Sequence, residues 1–367
     1  MSVIKVLIID DSALVRKVLS SIINDTSGMI VIDTAQDPVY ALKKLKTIVP
    51  DVITLDIEMP RMNGLTFLKN LMTDNPIPVV MCSTLTQKSS GTSIKALSLG
   101  AVEIVSKPTS NLKNELSAQK KLIINAIRAA AKANVGNLSM KAKMPVTILN
   151  SSKKETADVI LPKLKKVNSK PSNKLVAIGA STGGTIALEY IISSLKNDAP
   201  GVVIVQHMPA AFTAAFSARL NSVSEVYVKE AEDGDMVEMG KVLIAPGGKH
   251  MVIINQLGKL YVSIKGGPLV SRHKPSVDVL FRSVAQSAAQ QTLGIILTGM
   301  GDDGANGMKE MFDLGAFTVA QDEESCVIFG MPAVAIERGG VKKITPLDRI
   351  PGMINAFNQP VKFKSYL

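Results

Sequence analysis

The residues best able to do chemistry in this chain stand at the ends of apolar runs. Ser181 follows LVAIGA and is the centre of Gly179-Ala180-Ser181-Thr182-Gly183. That spacing, G-x-S-x-G, is the nucleophile elbow of serine hydrolases, a tight strand-to-helix turn that exposes a hydroxyl. The same five residues also suit a plain helix start, with serine as cap and glycines giving the turn room. A phosphate loop fits less well, because neither G-x-G-x-x-G nor a Gly-Lys-Ser/Thr ending is present. A nucleophilic serine needs a general base, and the base needs an orienting acid. Of three histidines, His207 closes GVVIVQ and so shares the strand-end position of Ser181, whereas His250 opens an apolar run and His273 lies inside SRHKPS. Asp302 and Asp303 follow a third run, TLGIILTG, in a glycine-rich loop. Serine, histidine and an aspartate thus project from one sheet edge, where open α/β sheets bind ligands.

A second constellation occupies the first hundred residues. Asp10 and Asp11 follow VIKVLII, Asp56 follows DVITL, Ser83 follows VVMC, and Lys107 follows VEIVS. If these runs are parallel strands, three carboxylates, a hydroxyl and a lysine converge at their carboxyl ends. Carboxylates and water are the ligands of a hard cation such as Mg2+, which would neutralise a phosphoryl group carried by Asp56. Singly, each residue also reads as a helix cap, a turn or a strand end.

The elements that must position both sets alternate in type. Five short β-branched runs alternate with helical patterns up to residue 108, and a fifth helix with Ile123, Ile127 and Ala130 on one face extends to about 134. Runs that read as continuous Val, Ile and Leu are buried on both faces, as in a parallel sheet covered by helices. The predicted fold is α/β throughout: a flavodoxin-like (βα)5 unit over 1–108, a linker over 135–173, a doubly wound, mainly parallel unit over 174–355, and a tail over 356–367. HMVIINQLGKLYVSI predicts an antiparallel hairpin inserted in the second unit, with Leu-Gly at its turn.

A chain of 367 residues suits two domains of roughly 100 to 200 residues each. The formal charge of +11 invites a nucleic-acid reading, but residues 111–173 hold 13 Lys or Arg against 3 acids, so the basicity belongs to the connecting segment. No helix-turn-helix unit accompanies it, and a nucleic-acid partner is not expected. Cys82 and Cys326 each sit in an apolar run without metal spacing, as buried thiols of a reducing compartment do. MSVIKVLIIDD meets two aspartates at once and no later run reaches 18 apolar residues, so the expected location is cytoplasmic.

Together, IIDDS, LDIEMPRMNG, the serine after VVMC and the lysine of SKP resemble a response-regulator receiver domain. The resemblance implies that Asp56 is phosphorylated, that Asp10, Asp11 and Asp56 bind Mg2+, and that Ser83 and Lys107 contact the phosphoryl group. Ile104 departs from the pattern, since an aromatic is common near that position. GASTGG, QHMP, APGGKHM, RHKPSVDVLF and LTGMGDDGANGM resemble the catalytic domain of the CheB family of chemotaxis protein-glutamate methylesterases. That resemblance maps the triad onto Ser181, His207 and Asp303, choosing Asp303 because it precedes Gly304. It further implies that Met300 supplies an oxyanion-hole N–H and that Thr182 helps orient the histidine. The implied reaction is hydrolysis of glutamate methyl esters, and deamidation of glutamines, on methyl-accepting chemotaxis receptors, with no metal in that step. The implied partners are those receptors in membrane-bound arrays and a chemotaxis histidine kinase as phosphodonor, with the unphosphorylated receiver packed over the catalytic crevice. A phosphorylation-controlled binding module without catalysis is the competing expectation.

Overall fold

The structure, a computed structural model, describes residues 3–83, 87–107, 113–133, 155–163, 171, 173–359 and 363. The linker expected at 135–154 and 164–170, and tail positions 360–362 and 364–367, lie outside the described residues. Two units divide the chain, Met1–Ala142 and Lys143–Leu367.

The first unit alternates β1 (Ile4–Ile9), α1 (Ala13–Asn24), β2 (Met29–Ala35), α2 (Pro38–Lys44), β3 (Val52–Asp56), α3 (Gly64–Asp74), β4 (Val79–Ser83), α4 (Gln87–Ser98), β5 (Glu103–Ser106) and α5 (Lys113–Ala130). Its five strands pair in parallel in the order β2-β1-β3-β4-β5. This is the flavodoxin-like order, with its switch point beside β1. Val6, Ile8, Val52 and Val80 bury one sheet face against Leu19 and Ile23 of α1 and Ile123 and Ile127 of α5. Ser12 and Asp37 cap α1 and α2 by accepting backbone N–H groups, so the polar ends of the strands run directly into helix starts.

The second unit contains β6 (Leu175–Ala180), α6 (Gly184–Ser193), β7 (Gly201–Gln206), α7 (Ala210–Ser222), β8 (Tyr227–Glu230), β9 (Lys241–Ile244), β10 (His250–Gln256), β11 (Lys259–Lys265), α8 (Val277–Ala288), β12 (Thr292–Ile296), α9 (Ala305–Asp313), β13 (Phe317–Gln321), α10 (Met331–Glu337), β14 (Lys343–Thr345) and α11 (Ile350–Phe357). Seven parallel strands run in the order β14-β13-β12-β6-β7-β9-β8. From β6 the chain winds outward through β7, then returns to place β12 on the other flank of β6. The switch point therefore falls at the carboxyl end of β6, immediately before Ser181. β10 and β11 form the expected antiparallel hairpin, and both turn residues, Leu257 (φ 51°) and Gly258 (φ 85°), are left-handed as a two-residue turn requires.

Residues 155–163, assigned above to the linker, belong to the second unit. A short 3-10 turn at Ala157–Val159 seats Ala157, Ile160 and Leu161 on Val252, Val270 and Val279. Arg282, only 5% exposed, holds it from beneath. Its guanidinium donates to Glu310 at 2.7 and 3.0 Å, to the Asp158 carboxylate at 2.8 Å and to the Leu161 carbonyl at 3.1 Å. The start of the expected tail is likewise packed: α11 runs to Phe357, and Phe363 meets the rings of Phe317 and Phe357 edge-on. Arg282→Ala leaves the buried Glu310 carboxylate with the exposed Lys163 ammonium, 3.7 Å away, as its remaining ion-pair partner among the described residues, and urea unfolding of the variant is expected to show a loss of about 3 kcal/mol. Replacing Glu310 with Leu and Arg282 with Met together should recover most of it.

Candidate active site

Ser181 lies directly after β6, and the turn around it is set by backbone contacts. Its N–H donates to the Thr298 carbonyl at 3.1 Å, and its own carbonyl accepts from the Gly184 N–H at 2.7 Å. Gly183, at φ 79°, turns the chain into α6 in a region that other residues enter only with strain. A side chain at Gly299 would overlap the Ser181 Cβ, so the loop after β12 approaches the serine closely only because Gly299 has none.

His207 follows β7, the neighbouring strand. Its N–H donates to the Ala180 carbonyl at 3.1 Å, placing it one residue from the serine turn across the sheet. The buried Gln206 side chain reinforces this pairing by donating to the carbonyls of both Ser181 and His207, at 2.9 and 3.1 Å. Sequence reading missed Gln206, whose residue type in a strand carries no chemical signal. The imidazole Nε2 lies 2.8 Å from Asp303 Oδ2. A carboxylate can only accept, so Nε2 carries the hydrogen and Nδ1 keeps its lone pair. Nδ1 is buried and has no hydrogen-bond partner among the described residues.

The structure separates the two adjacent aspartates. Asp303 is 1% exposed and accepts from the Ser276 hydroxyl and the Val277 and Asp278 N–H groups as well as from His207. Burial alone would raise its carboxyl, but the hydrogen bond and charge interaction with His207 outweigh that and hold it below the ordinary value. Asp302 instead pairs with Arg338 at 3.2 Å near the surface. A further carboxyl, Asp278, is buried beside Asp303 and accepts from Ser271 and from the Gly307 N–H. Burial first, and the Asp303 charge second, raise it to about 7.

Met300 lies in the loop against Ser181, and among the described residues nothing accepts its N–H. Thr182 is buried, and its carbonyl accepts from the Thr298 hydroxyl at 3.0 Å. The ring packed on His207 is that of His273: the centroids are 3.6 Å apart and the planes 3° from parallel. Sequence position gave His273 no such place, because it lies in a loop and not at a strand end. His250 donates from Nε2 to the Pro268 carbonyl and is fully buried at the start of β10.

In the first unit, Asp10, Asp11 and Asp56 each present an oxygen within 4.8 Å of the others. Lys107 Nζ lies 3.0 Å from Asp10 and 2.8 Å from Asp56. Burial lifts Asp56 to about 6 against the opposing pull of Lys107. Burial would lower Lys107, yet the two carboxylates raise it above its ordinary value. Ser83 is buried at the end of β4, and its carbonyl accepts the Lys107 N–H at 2.9 Å. Ile104 is buried in β5, an aliphatic side chain where receivers commonly carry a ring.

A parallel α/β sheet with serine, histidine and carboxylate at its switch point, joined to a five-stranded unit with a lysine-bridged carboxylate cluster, is the arrangement of a hydrolase under receiver control. The comparisons make the class specific. The family model described as CheB methylesterase matches residues 176–354, and that of the response regulator receiver domain matches residues 6–118. The chain is similar to protein-glutamate methylesterase/protein-glutamine glutaminase 1 of Pseudomonas savastanoi pv. phaseolicola, 53% identical over 348 residues, 95% of this chain and 97% of that relative. It is also similar to protein-glutamate methylesterase/protein-glutamine glutaminase 3 of Shewanella oneidensis, 51% identical over 359 residues, 97% and 99% of the two chains. The crystal structure of the Thermotoga maritima CheB methylesterase catalytic domain is 40% identical, covers 50% of this chain and 98% of that one, and gives a TM-score of 0.49. The chain belongs to the protein-glutamate methylesterase/protein-glutamine glutaminase family, the CheB methylesterases with an N-terminal receiver.

Proposed function

We propose that this protein is a phosphorylation-activated serine hydrolase that demethylates glutamate γ-methyl esters on methyl-accepting chemotaxis receptors, releases methanol, and deamidates receptor glutamines during adaptation. The observation that carries this reading is the His207 ring, whose Nε2–H is held by Asp303 while the buried Nδ1 has no hydrogen-bond partner among the described residues, on a residue whose N–H bonds the carbonyl of Ala180, next to Ser181. Ser181 Oγ attacks the γ-carbonyl carbon as His207 Nδ1 takes its proton. His207 returns that proton to the departing methoxide, or in the glutamine reaction to the departing amide nitrogen, which leaves as ammonia, and water then resolves the acyl-serine by the same route. Asp303 holds the reactive tautomer and stabilises the imidazolium. Because the Ser181 N–H is taken by Thr298, an oxyanion donor has to come from elsewhere, and the Met300 N–H is the candidate, an interaction worth about 3 kcal/mol per donor. Thr182 helps orient the imidazole from the same turn. The chain itself supplies nucleophile, base and acid.

The receiver sets when this happens. Asp56 accepts a phosphoryl group from a chemotaxis histidine kinase, Lys107 follows the new charge, and the Ser83 hydroxyl turns to a phosphoryl oxygen. Three oxygens within 4.8 Å, two from buried carboxylates, fit a hard divalent cation, and Asp10, Asp11 and Asp56 would hold Mg2+. When bound, that ion offsets phosphoryl charge. No helix among the described residues is long and apolar enough to cross a membrane. The protein works from the cytoplasm on membrane-bound receptor arrays, with no nucleic-acid partner.

Methanol release from methylated receptor membranes, with and without a small phosphodonor and Mg2+, tests the reading. The phosphodonor is expected to raise release severalfold in the intact protein and not at all in Asp56→Ala. A response that survives in Asp56→Ala removes the gate from this function.

A further inference from the structure

Among the described residues the catalytic imidazole is held at its edge by one hydrogen bond, Nε2 to Asp303. One edge bond fixes the far end of the ring but leaves its plane free to rock about the line from Cβ to Nε2, and rocking swings Nδ1 out of the serine's reach. What the structure places against the ring face is a second imidazole, 3.6 Å away and within 3° of parallel. We propose that His273 is a positioning residue for the hydrolysis, a flat platform that fixes the plane of His207 so that Nδ1 addresses Ser181. This rests on the triad reading above and extends it by one residue.

The platform is itself firmly built. The Val270 and His273 backbones exchange two hydrogen bonds, of 2.8 and 3.0 Å, closing a turn whose central residues Ser271 and Arg272 are both left-handed, at φ 49° and 74°. Two consecutive non-glycine residues in that region are costly and persist only where surroundings enforce them. Here the enforcement is visible: the Ser271 N–H donates to the Glu155 carbonyl and its hydroxyl to Asp278, while Val270 is fully buried. The Asp278 N–H in turn donates to Asp303. One network therefore reaches both the edge and the face of His207.

Residue type matters at this place. Burial, and then the neighbouring His207, push the His273 ring down to about 3, so it is uncharged at neutral pH. An uncharged ring supports the His207 face without opposing the positive charge that His207 gains in the transition state. A cation there would oppose it.

The test uses the full-length protein with His273→Ala, His273→Phe and Ser181→Ala. Thermal melting reports folding, methanol release from methylated receptor membranes gives kcat and KM, and labelling of Ser181 by a serine-directed phosphonate reports base positioning without receptor docking. His273→Ala is expected to lower kcat and the labelling rate at least tenfold with KM within about twofold, and to shift the acid limb of the kcat/KM pH profile. His273→Phe, which keeps a flat ring, should restore most of both rates. Folded His273→Ala with wild-type kcat and labelling overturns the proposal, as does a rise in KM with labelling unchanged, which would make His273 a docking residue. Folded His273→Phe no faster than His273→Ala also overturns it. Loss of activity in Ser181→Ala alongside full activity in His273→Ala sinks only the platform; full activity in Ser181→Ala sinks the triad beneath it.

Discussion

Ser181→Ala is expected to abolish methanol release, by about four to six orders of magnitude in kcat, while leaving the protein folded. The size follows from the division of labour: without the hydroxyl there is no acyl-enzyme, and only oxyanion and binding contributions remain, as in serine hydrolases stripped of their nucleophile. The intact fold follows from the local geometry. The bonds that shape the turn run through the Ser181 N–H and carbonyl, to Thr298, Gly184 and Gln206, and alanine keeps all of them. Methyl-ester and amide activities should vanish together, because one acyl intermediate serves both. Methanol and ammonia release from the same receptor preparation, with thermal melting as the folding control, measures this. Full activity in a folded Ser181→Ala would return the turn to a helix start, and retained deamidation alone would require a second nucleophile.

Much of this site is legible from strand ends. Parallel strands buried on both faces announce themselves as apolar runs, and a polar residue that closes such a run must emerge at the carboxyl edge of the sheet. Ser181, His207 and Asp303 obey that rule, as do Asp10, Asp56 and Lys107. His273 and Asp278 do not, because they reach the site from the loop that follows β11 and from the first turn of α8, whose return to the switch point is a tertiary fact. Spacing also left Asp302 and Asp303 equivalent. What separates them is the start of α8, whose Ser276, Val277 and Asp278 donors close on Asp303 alone from 25 to 27 residues upstream. The packed segment at 155–163 was hidden for a similar reason. Three apolar side chains and one aspartate show no period, and their partner Arg282 lies more than a hundred residues away.

Asp303→Asn is the second large effect, expected at about four orders of magnitude in kcat by analogy with the loss of the orienting acid in other triads. Its cause is a donor–acceptor count. Oδ1 accepts from Ser276 and Asp278, and Oδ2 accepts from Val277 and His207 Nε2. An amide has one oxygen for these four donors. If its NH2 replaces Oδ2, it faces the Val277 N–H and forces the hydrogen of His207 onto Nδ1, the atom that has to act as base. If its NH2 replaces Oδ1, it confronts the Ser276 and Asp278 donors instead, leaving a buried N–H unsatisfied. A second readout follows from Asp278. Its carboxyl is raised from 3.8 to about 7, partly by the Asp303 charge, so the folded state binds more protons than the unfolded one between those values. This group therefore makes stability fall as pH rises through that window. The depressed carboxyl of Asp303 acts only below the window, where acid removes its contribution. Neutralising Asp303 lowers Asp278 toward its unfolded value, and the decline in urea midpoint between about pH 5 and about pH 7.5 should become shallower in the variant. An unchanged decline would mean that the two carboxyls do not interact across the start of α8. Wild-type kcat in Asp303→Asn would mean that His207 is oriented by something else.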